Sequence, residues 1–253
     1  DKTILDFEVP ITNLEQRIRE LEQFAEEKNV ELAGDLDSIK KRLDQLITQR
    51  FQHLTPWQRV RIARHPDRPQ TEDLVTNIFT EFLELFGDRN FGDDRAMLTG
   101  FAKLDDTRVM LVGHRKGKGT KDKLSCNFGS ARPEGYRKAL QKMRLAERMH
   151  LPIITLVDTM GASCDMGAEE RGQAHAIAQN LMEMFDLHVP ILSLVLGEGG
   201  SGGAIGIGIG DRLLMAEHAY YSVISPEGCA SILWKDTKFA EDAAAALKIT
   251  SDH

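Results

Sequence analysis

A chain of 253 residues with a formal charge of −7 has room for one large domain, or for one domain with an appendage. Its acidic balance excludes a general nucleic-acid-coating surface, no apolar stretch is long enough to span a bilayer, and no secretory signal is visible. Cys126, Cys164 and Cys229 have neither C-x-x-C spacing nor an even count, which fits a reducing compartment and supplies no metal framework. With neither a span nor a signal, the chain reads as cytoplasmic or as an organellar protein that has lost its transit peptide, and its start at Asp1 without a Met also fits a fragment.

Residues 11–51 predict two amphipathic helices. Leu14, Ile18, Leu21 and Phe24 recur at helical spacing, as do Ile39, Leu43, Leu46 and Ile47. A turn is expected at Ala33-Gly34-Asp35, with Asp35 capping the second helix. Thr55-Pro56-Trp57 opens a short helix, and His65-Pro66-Asp67-Arg68-Pro69 is a stiff connector. Thr71-Glu72-Asp73 caps a helix expected to carry Leu74, Ile78, Phe79, Phe82 and Leu85. Met97 to Leu104 and Arg108 to Val112 predict a hairpin turning at Asp105-Asp106. His114 follows, then a basic loop with Arg115, Lys116, Lys118, Lys121 and Lys123.

Helices and strands then alternate. A helix is expected from Pro133 to about His150, a strand from Pro152 to Asp158, a loop from Gly161 to Gly167, and a helix from Ala168 to Phe185. The apolar run Val189 to Leu196 reads as a buried strand, followed by short strands at Arg212 to Ala216 and Tyr220 to Ile224. Helices begin at Pro226 and at Phe239. This alternation implies a mainly parallel, layered α/β core.

The segment that stands out is Leu194 to Gly210, where glycines begin at Gly197 and a small-residue helix is expected from Ser201. A strand, a glycine turn and a helix start aim bare N–H groups outward, because the first N–H groups of a helix lack internal partners and the helix dipole adds positive charge there. Such a device binds a phosphate or stabilises a developing oxyanion. No lysine follows the glycines, so the phosphate-loop pattern is not met, and the G-x-G-x-x-G match at Gly197, Gly199 and Gly202 is weak in so glycine-rich a run. The later glycines, Gly206 to Gly210, also suit close backbone packing.

Four segments carry a resemblance: Glu134-Gly-Tyr-Arg-Lys-Ala139, Gly167-Ala-Glu-Glu-Arg-Gly-Gln173, Gly197-Glu-Gly-Gly-Ser-Gly-Gly-Ala204 and Tyr221-Ser-Val-Ile-Ser-Pro-Glu-Gly-Cys-Ala-Ser-Ile-Leu-Trp234. Together with Leu5-Asp-Phe-Glu8 and Ala63-Arg-His-Pro66 they resemble the carboxyltransferase alpha subunits of bacterial and plastid acetyl-CoA carboxylase, nearly end to end. The resemblance implies a crotonase-like α/β fold of stacked β-β-α units, here with an N-terminal helical hairpin. Residues 1–70 would be a helical appendage and 71–253 the carboxyltransferase domain. Two departures stand out. The family reads Asp-Thr-Pro-Gly-Ala-Tyr where this chain has Asp158-Thr-Met-Gly-Ala-Ser163, so Met160 gives back backbone freedom and Ser163 removes an aromatic wall. The family also continues through further helices beyond the position of His253, which makes the domain C-terminally short.

The implied chemistry is transfer of a carboxyl group from carboxybiotin, on a separate carrier protein, to acetyl-CoA, giving malonyl-CoA for fatty acid biosynthesis. The implied partners are a beta subunit in an α2β2 assembly, the biotin carboxyl carrier protein and biotin carboxylase, in the cytoplasm or plastid stroma. The family's zinc ribbon belongs to beta, so no metal is expected in this chain. The N–H groups of Gly202 and Gly203 are the expected catalytic donors. Gly199 and Gly200 would shape the turn, with Gly161, Ser225, Lys116 and Lys118 as further substrate contacts. His114 reads as a packed histidine, and Cys229 as a small buried residue. The competing classes are another acyl-CoA enzyme of the same fold, such as a hydratase, for which no acidic pair stands out near the second oxyanion hole since Glu198 lies before the glycines, and a degenerate or truncated subunit that only binds partners.

Overall fold

The computed structural model describes residues 3–28 and 33–253. Helices α1 (Val9–Lys28) and α2 (Ala33–Gln52) pack on each other, and α1 buries only Ile11 and Ile18. The expected turn at Ala33-Gly34-Asp35 is instead the first turn of α2, where the N–H groups lack helical partners in any case and weak helix formers are tolerated. Helix α3 (Pro56–Ala63) starts as the sequence predicts. Gln58 N–H donates to Thr55 Oγ1 at 3.2 Å while Thr55 N–H donates to Gln58 Oε1 at 2.8 Å, a reciprocal capping box with Pro56 in the first turn.

Helix α4 (Thr71–Ile78) is shorter than expected. Strand β1 (Thr80–Glu84) takes over, so Phe82 lies on a strand and Leu85 just beyond it. The cause is a bulge: Glu81 has φ 51°, and the register shifts between Thr80↔Lys103 and Leu83↔Phe101. Phe79 and Phe82 therefore reach the same core at a three-residue spacing, which imitates a helical period. Strands β2 (Met97–Leu104) and β3 (Thr107–His114) form the expected hairpin. A short helix, α5 (Gly119–Ser125), occupies part of the stretch expected to be a basic loop.

Helix α6 (Pro133–Arg148) leads to β4 (Ile153–Thr159), buried along its whole length as suits a central strand of a covered parallel sheet. The single helix expected from Ala168 is broken into α7 (Met166–Glu170) and α8 (Gln173–Asp186) by Gly172 at φ 80°. At the break, Arg171 Nε and Nη2 each donate to the Glu134 carboxylate at 3.1 Å.

Strand β5 (Ile191–Gly200) does not end at Leu196. It runs on through the glycines, because its last residues gain a second neighbour that the local sequence does not reveal. Helix α9 (Ser201–Ile205) is only 5 residues long. Strands β6 (Arg212–Met215) and β7 (Tyr220–Ser222) and helices α10 (Pro226–Trp234) and α11 (Ala240–Leu247) complete the chain.

The 7-stranded sheet runs β1-β2-β3-β4-β5-β6, with β7 added on β5. The first two pairings are antiparallel and the rest parallel. One face is buried under α6 and α8, where Val112, Ile153, Val157 and Val195 meet Tyr136, Met143 and Ala176. The other is covered over its first strands by α4, with Val75 and Phe79 against Leu98, Leu111 and Leu156. Both layers meet at the C-terminal end of β4 and β5, where the glycine segment begins.

Candidate active site

The glycine segment is held from behind by the core. Tyr136, fully buried on α6, donates its hydroxyl to the Gly203 carbonyl at 3.1 Å. Asn180 on α8 donates to the Gly206 carbonyl at 2.9 Å and to the Tyr136 carbonyl at 3.1 Å. The Tyr136 ring lies where a Cβ on Gly206 would stand, at 2.6 Å. These contacts use the carbonyl side of α9 and leave the N–H side of its first turn, at Gly202 and Gly203, without helical partners.

The glycines differ in what fills the missing side chain's place. At Gly203 a Cβ would strike Ala162 N and lie 3.0 Å from Gly161 Cα; at Gly200 it would strike the Met160 carbonyl. The loop after β4 therefore packs backbone to backbone against the glycine segment, which leaves no room for a side chain at either position. At Gly199 the Tyr221 ring is in the way. At Gly202 the nearest atom is Ile177 Cδ1 at 3.7 Å, an ordinary contact. Nothing within the chain demands glycine at 202, which is half-buried, whereas Gly203 is buried.

The loop that departs from the family is well tied. Ser163 Oγ donates to Asp165 Oδ2 at 2.8 Å and accepts from Asn127 Nδ2 at 3.3 Å, and Ser163 N–H donates to the Ala131 carbonyl at 2.9 Å. Ser163 is buried, while Met160 is 59% exposed.

Beside Met160 a pocket of about 580 Å³ opens, lined by Arg64, Arg68, Lys116, Phe128, Glu198 and Ser225 among others. Its floor is a charge network. Glu198 accepts from Arg64 Nε at 3.1 Å, from Tyr220 Oη at 2.9 Å and from Lys116 Nζ. Arg64 also meets Glu227, 2.5 Å away. Asp158 accepts from Arg68 Nη2 at 2.5 Å and lies 3.7 Å from Lys116 Nζ. The charges of Arg64, Arg68 and Lys116 balance those of Asp158, Glu198 and Glu227. Burial, together with the Glu198 charge, raises the Tyr220 phenol pKa. Burial works against the Glu227 charge, but the Arg64 hydrogen bond, a backbone hydrogen bond and the Arg64 charge together outweigh it, and the carboxyl pKa falls below its ordinary value.

The expected contact residues are thus only partly gathered. Lys116 and Ser225 line this pocket, and Ser225 also caps α10 by accepting the Gly228 N–H at 3.1 Å. Lys118 is paired with Asp73 and lines an adjoining pocket of about 730 Å³. Gly161 and Gly200 lie in the backbone stack with Gly203, beside Met160. His114 is a packed histidine: it is fully buried, Nδ1 accepts the Asp158 N–H at 3.3 Å, and Nε2 has no hydrogen-bond partner. Burial pushes its pKa down to about 4.

Sequence reasoning passed over Arg64, Arg68, Asp158, Glu198 and Tyr220. Asp158 and Glu198 come from adjacent strands just before the glycines, with Glu198 N–H donating to Asp158 Oδ1 at 3.1 Å. The available signal was position, since Asp158 ends one central strand and Glu198 precedes the glycines on the next. Among the described residues, no cluster of three or more His, Cys, Asp or Glu side chains could hold a metal ion.

The architecture has counterparts among solved structures. Over 74% of this chain and 36% of the other, it matches the beta subunit of P. aeruginosa geranyl-CoA carboxylase with a TM-score of 0.58 at 20% identity. Over 72% of this chain and 35% of the other, it matches transcarboxylase 12S with a TM-score of 0.61 at 18% identity. This chain thus spans about a third of either. The fold is crotonase-like α/β. Residues 4–253 match the family model described as acetyl co-enzyme A carboxylase carboxyltransferase-like, and the chain belongs to that family. It is 52% identical to the acetyl-coenzyme A carboxylase carboxyl transferase subunit alpha of Rhodopirellula baltica, over 98% of this chain and 78% of that protein. It is 55% identical to the subunit of the same name from Geobacter metallireducens, over 98% of this chain and 77% of that protein.

Proposed function

We propose that this chain is the alpha component of an acetyl-CoA carboxylase carboxyltransferase, moving a carboxyl group to acetyl-CoA to form malonyl-CoA. The observation that carries the reading is the contrast between Gly202, where a side chain would meet only Ile177, and the fully packed Gly203, whose carbonyl Tyr136 holds: the start of α9 is fixed from its carbonyl side, and its first N–H groups have no helical partner. Carboxybiotin, brought by a carrier protein, supplies the carboxyl group, and negative charge develops on its ureido oxygen. The N–H groups of Gly202 and Gly203 donate to that oxygen. Loss of one such donor costs about 2.7–4 kcal/mol of barrier. Tyr136 and Asn180 hold α9, so the donors need little reorganisation as charge develops. Gly200 and Gly203 let the strand end stack closely on the β4 loop at Met160, Gly161 and Ala162, and Gly199 makes room for the Tyr221 ring. Lys116 and Ser225 form the pocket wall on the substrate side, with Lys118 beyond it.

In this reading residues 71–253 form the transfer domain and 1–70 a helical appendage, whose last residues, Arg64 to Gln70, wall the pocket. A beta subunit completes the site in an α2β2 assembly that works with the carrier protein and biotin carboxylase in the cytoplasm or plastid stroma. Consistent with a protein partner, Leu213 and Leu214 on β6 and Val223, Ile232 and Leu233 beyond it are half or more exposed. No helix among the described residues is long and apolar enough to cross a membrane.

The test is the reverse reaction, with free biocytin and malonyl-CoA, run on the purified chain with and without a beta subunit. Transfer only in the mixture is the expected result. Turnover by the chain alone would overturn the division of labour, and no turnover in the mixture would overturn the enzymatic assignment.

A further inference from the structure

At Asp158 the two central strands fall out of step. Val157 pairs with Val195, but the next pair is Thr159 with Gly199, so β5 sets Leu196, Gly197 and Glu198 against the single residue Asp158. Over the same interval β5 changes neighbour, from Met215 of β6 at Val195 to Tyr220 of β7 at Glu198. An insertion of this kind releases backbone groups from the ladder and bends the strand. The Glu198 N–H finds its partner in Asp158 Oδ1, at 3.1 Å. Arg68 grips the same oxygen, its guanidinium filling the place of a Cβ on Gly197, while its Nε and Nη1 donate to the Ala63 and Pro69 carbonyls at 2.5 and 2.8 Å. The corner is thus closed by one carboxylate oxygen, and Gly199 to Gly203 follow it directly.

We propose that Asp158 is a positioning residue for the transfer reaction: by accepting the Glu198 N–H at this corner, it sets the direction in which the Gly199–Gly203 backbone leaves the sheet. The proposal rests on the reading of Gly202 and Gly203 as the donors. Stability alone accounts poorly for a carboxylate here. Its side chain is 1% exposed and its Oδ2 is buried without a partner, an arrangement that costs free energy. Asp158 touches no reacting atom in this scheme and acts only through the strand end.

The experiment compares Asp158→Ala, Asp158→Asn and Asp88→Asn in the complex with a beta subunit. Asp88 is an equally buried carboxylate, paired with Arg137 at 2.9 Å in the loop between β1 and β2, so its variant controls for general loss of stability. Asp158→Ala is expected to lower kcat by about a hundredfold, the scale of a misplacement near 1 Å, with KM for malonyl-CoA changed less than about threefold. Asp158→Asn keeps an oxygen for the Glu198 N–H and is expected to recover most of that loss. Hydrogen exchange of the isolated chain over residues 196–206 should accelerate in Asp158→Ala and stay unchanged in Asp88→Asn. Unchanged exchange in Asp158→Ala, or a kcat loss that Asp88→Asn matches at an equal fall in melting temperature, overturns the proposal. So does an Asn variant as impaired as the Ala variant. If Asp158→Ala does not fold, Asp158→Leu, close to Asp in shape but without an acceptor, decides in its place: faster exchange of the same segment supports the proposal and unchanged exchange overturns it. If the wild-type complex transfers no carboxyl group, the functional reading fails, and the exchange measurement still decides whether Asp158 holds the corner.

Discussion

The glycine segment at Gly199 to Gly203 and the basic run from Arg115 to Lys123 both suggest ligand contact from sequence, and folding treats them in opposite ways. Of the glycines, Gly202 keeps room at its side-chain position, while the corresponding places at Gly199, Gly200 and Gly203 are filled by the chain itself. The charges are largely consumed. Arg115 meets Glu72 and Glu84 at 3.1 and 3.0 Å, Lys116 is taken up by Glu198, and Lys118 by Asp73. Only Lys121 and Lys123 lack a carboxylate within ion-pair distance among the described residues. A charge attracts partners from anywhere in the chain, whereas the access that a glycine gives is removed only by direct occlusion.

The largest effect is expected at Gly203. Gly203→Ala drives a Cβ into Ala162 N and Gly161, an overpacking that costs about 1–3 kcal/mol, and it moves a donor. Transfer should fall by about a hundredfold to a thousandfold. Gly202→Ala meets no such obstacle, so its melting temperature should match wild type while transfer still falls. Measuring both quantities for both variants sharpens the comparison. Normal transfer by a folded Gly202→Ala would show that the open space is not used.

Lys116 tests the other region. Its ammonium compensates Glu198 and stands near Asp158, carboxylates with side chains 5% and 1% exposed. Lys116→Ala should therefore cost about 3 kcal/mol in denaturant unfolding, the scale of breaking a buried pair by removing one partner. An unchanged unfolding midpoint with a raised KM for malonyl-CoA would instead make Lys116 a free ligand contact and erase the contrast.

His114 lies behind both regions, and its effect is seen in pH. Burial lowers its pKa from 6.5 to about 4. As pH falls, the unfolded chain takes up this proton first. The contribution to stability is complete above about pH 6.5 and is lost progressively down to about pH 4, amounting to about 2 kcal/mol at pH 5. His114→Asn, which keeps an acceptor for the Asp158 N–H, should show a correspondingly smaller fall in melting temperature between pH 7 and pH 5. An identical fall in both proteins would mean that His114 does not titrate on unfolding in that range.

These expectations separate what local sequence carries from what it does not. The hairpin at Asp105, the cap at Thr55 and the strand ending at Thr159 were legible because short-range turn chemistry and period decide them. Phe82 was misplaced because a bulge at Glu81 put a strand's side chains at helical spacing. The strand through Gly200 was cut short because β7, its new neighbour, comes some twenty residues later. Half of the pocket was invisible for a related reason. Arg64, at the end of α3, and Arg68, in the connector, lie far along the chain from Asp158 and Glu198, and no local pattern brings them together. Glycines proposed as donors could be found because their use depends on their own backbone; a salt network depends on topology.

The smallest effect is expected at Lys118. Its side chain is 59% exposed and that of Asp73 29%, so the pair is screened by solvent and salt and is worth about 0–1 kcal/mol. The Lys118 hydrogen bond, followed by that of the Gln70 N–H, holds the Asp73 carboxyl pKa below its ordinary value. In Lys118→Ala the second of these remains, with Asp73 Oδ2 accepting the Gln70 N–H at 2.9 Å at the start of α4, where a carboxylate also meets the favourable end of the helix dipole. Helix α4 should stay capped, and the melting temperature should change by no more than a few degrees. If Asp73 has already neutralised the ammonium, the KM for malonyl-CoA should rise less than about twofold, with little dependence on salt. A tenfold rise that fades as salt is added would show that Lys118 leaves Asp73 for the substrate's phosphates, and the basic run would then keep its charge available much as Gly202 keeps room at its side-chain position.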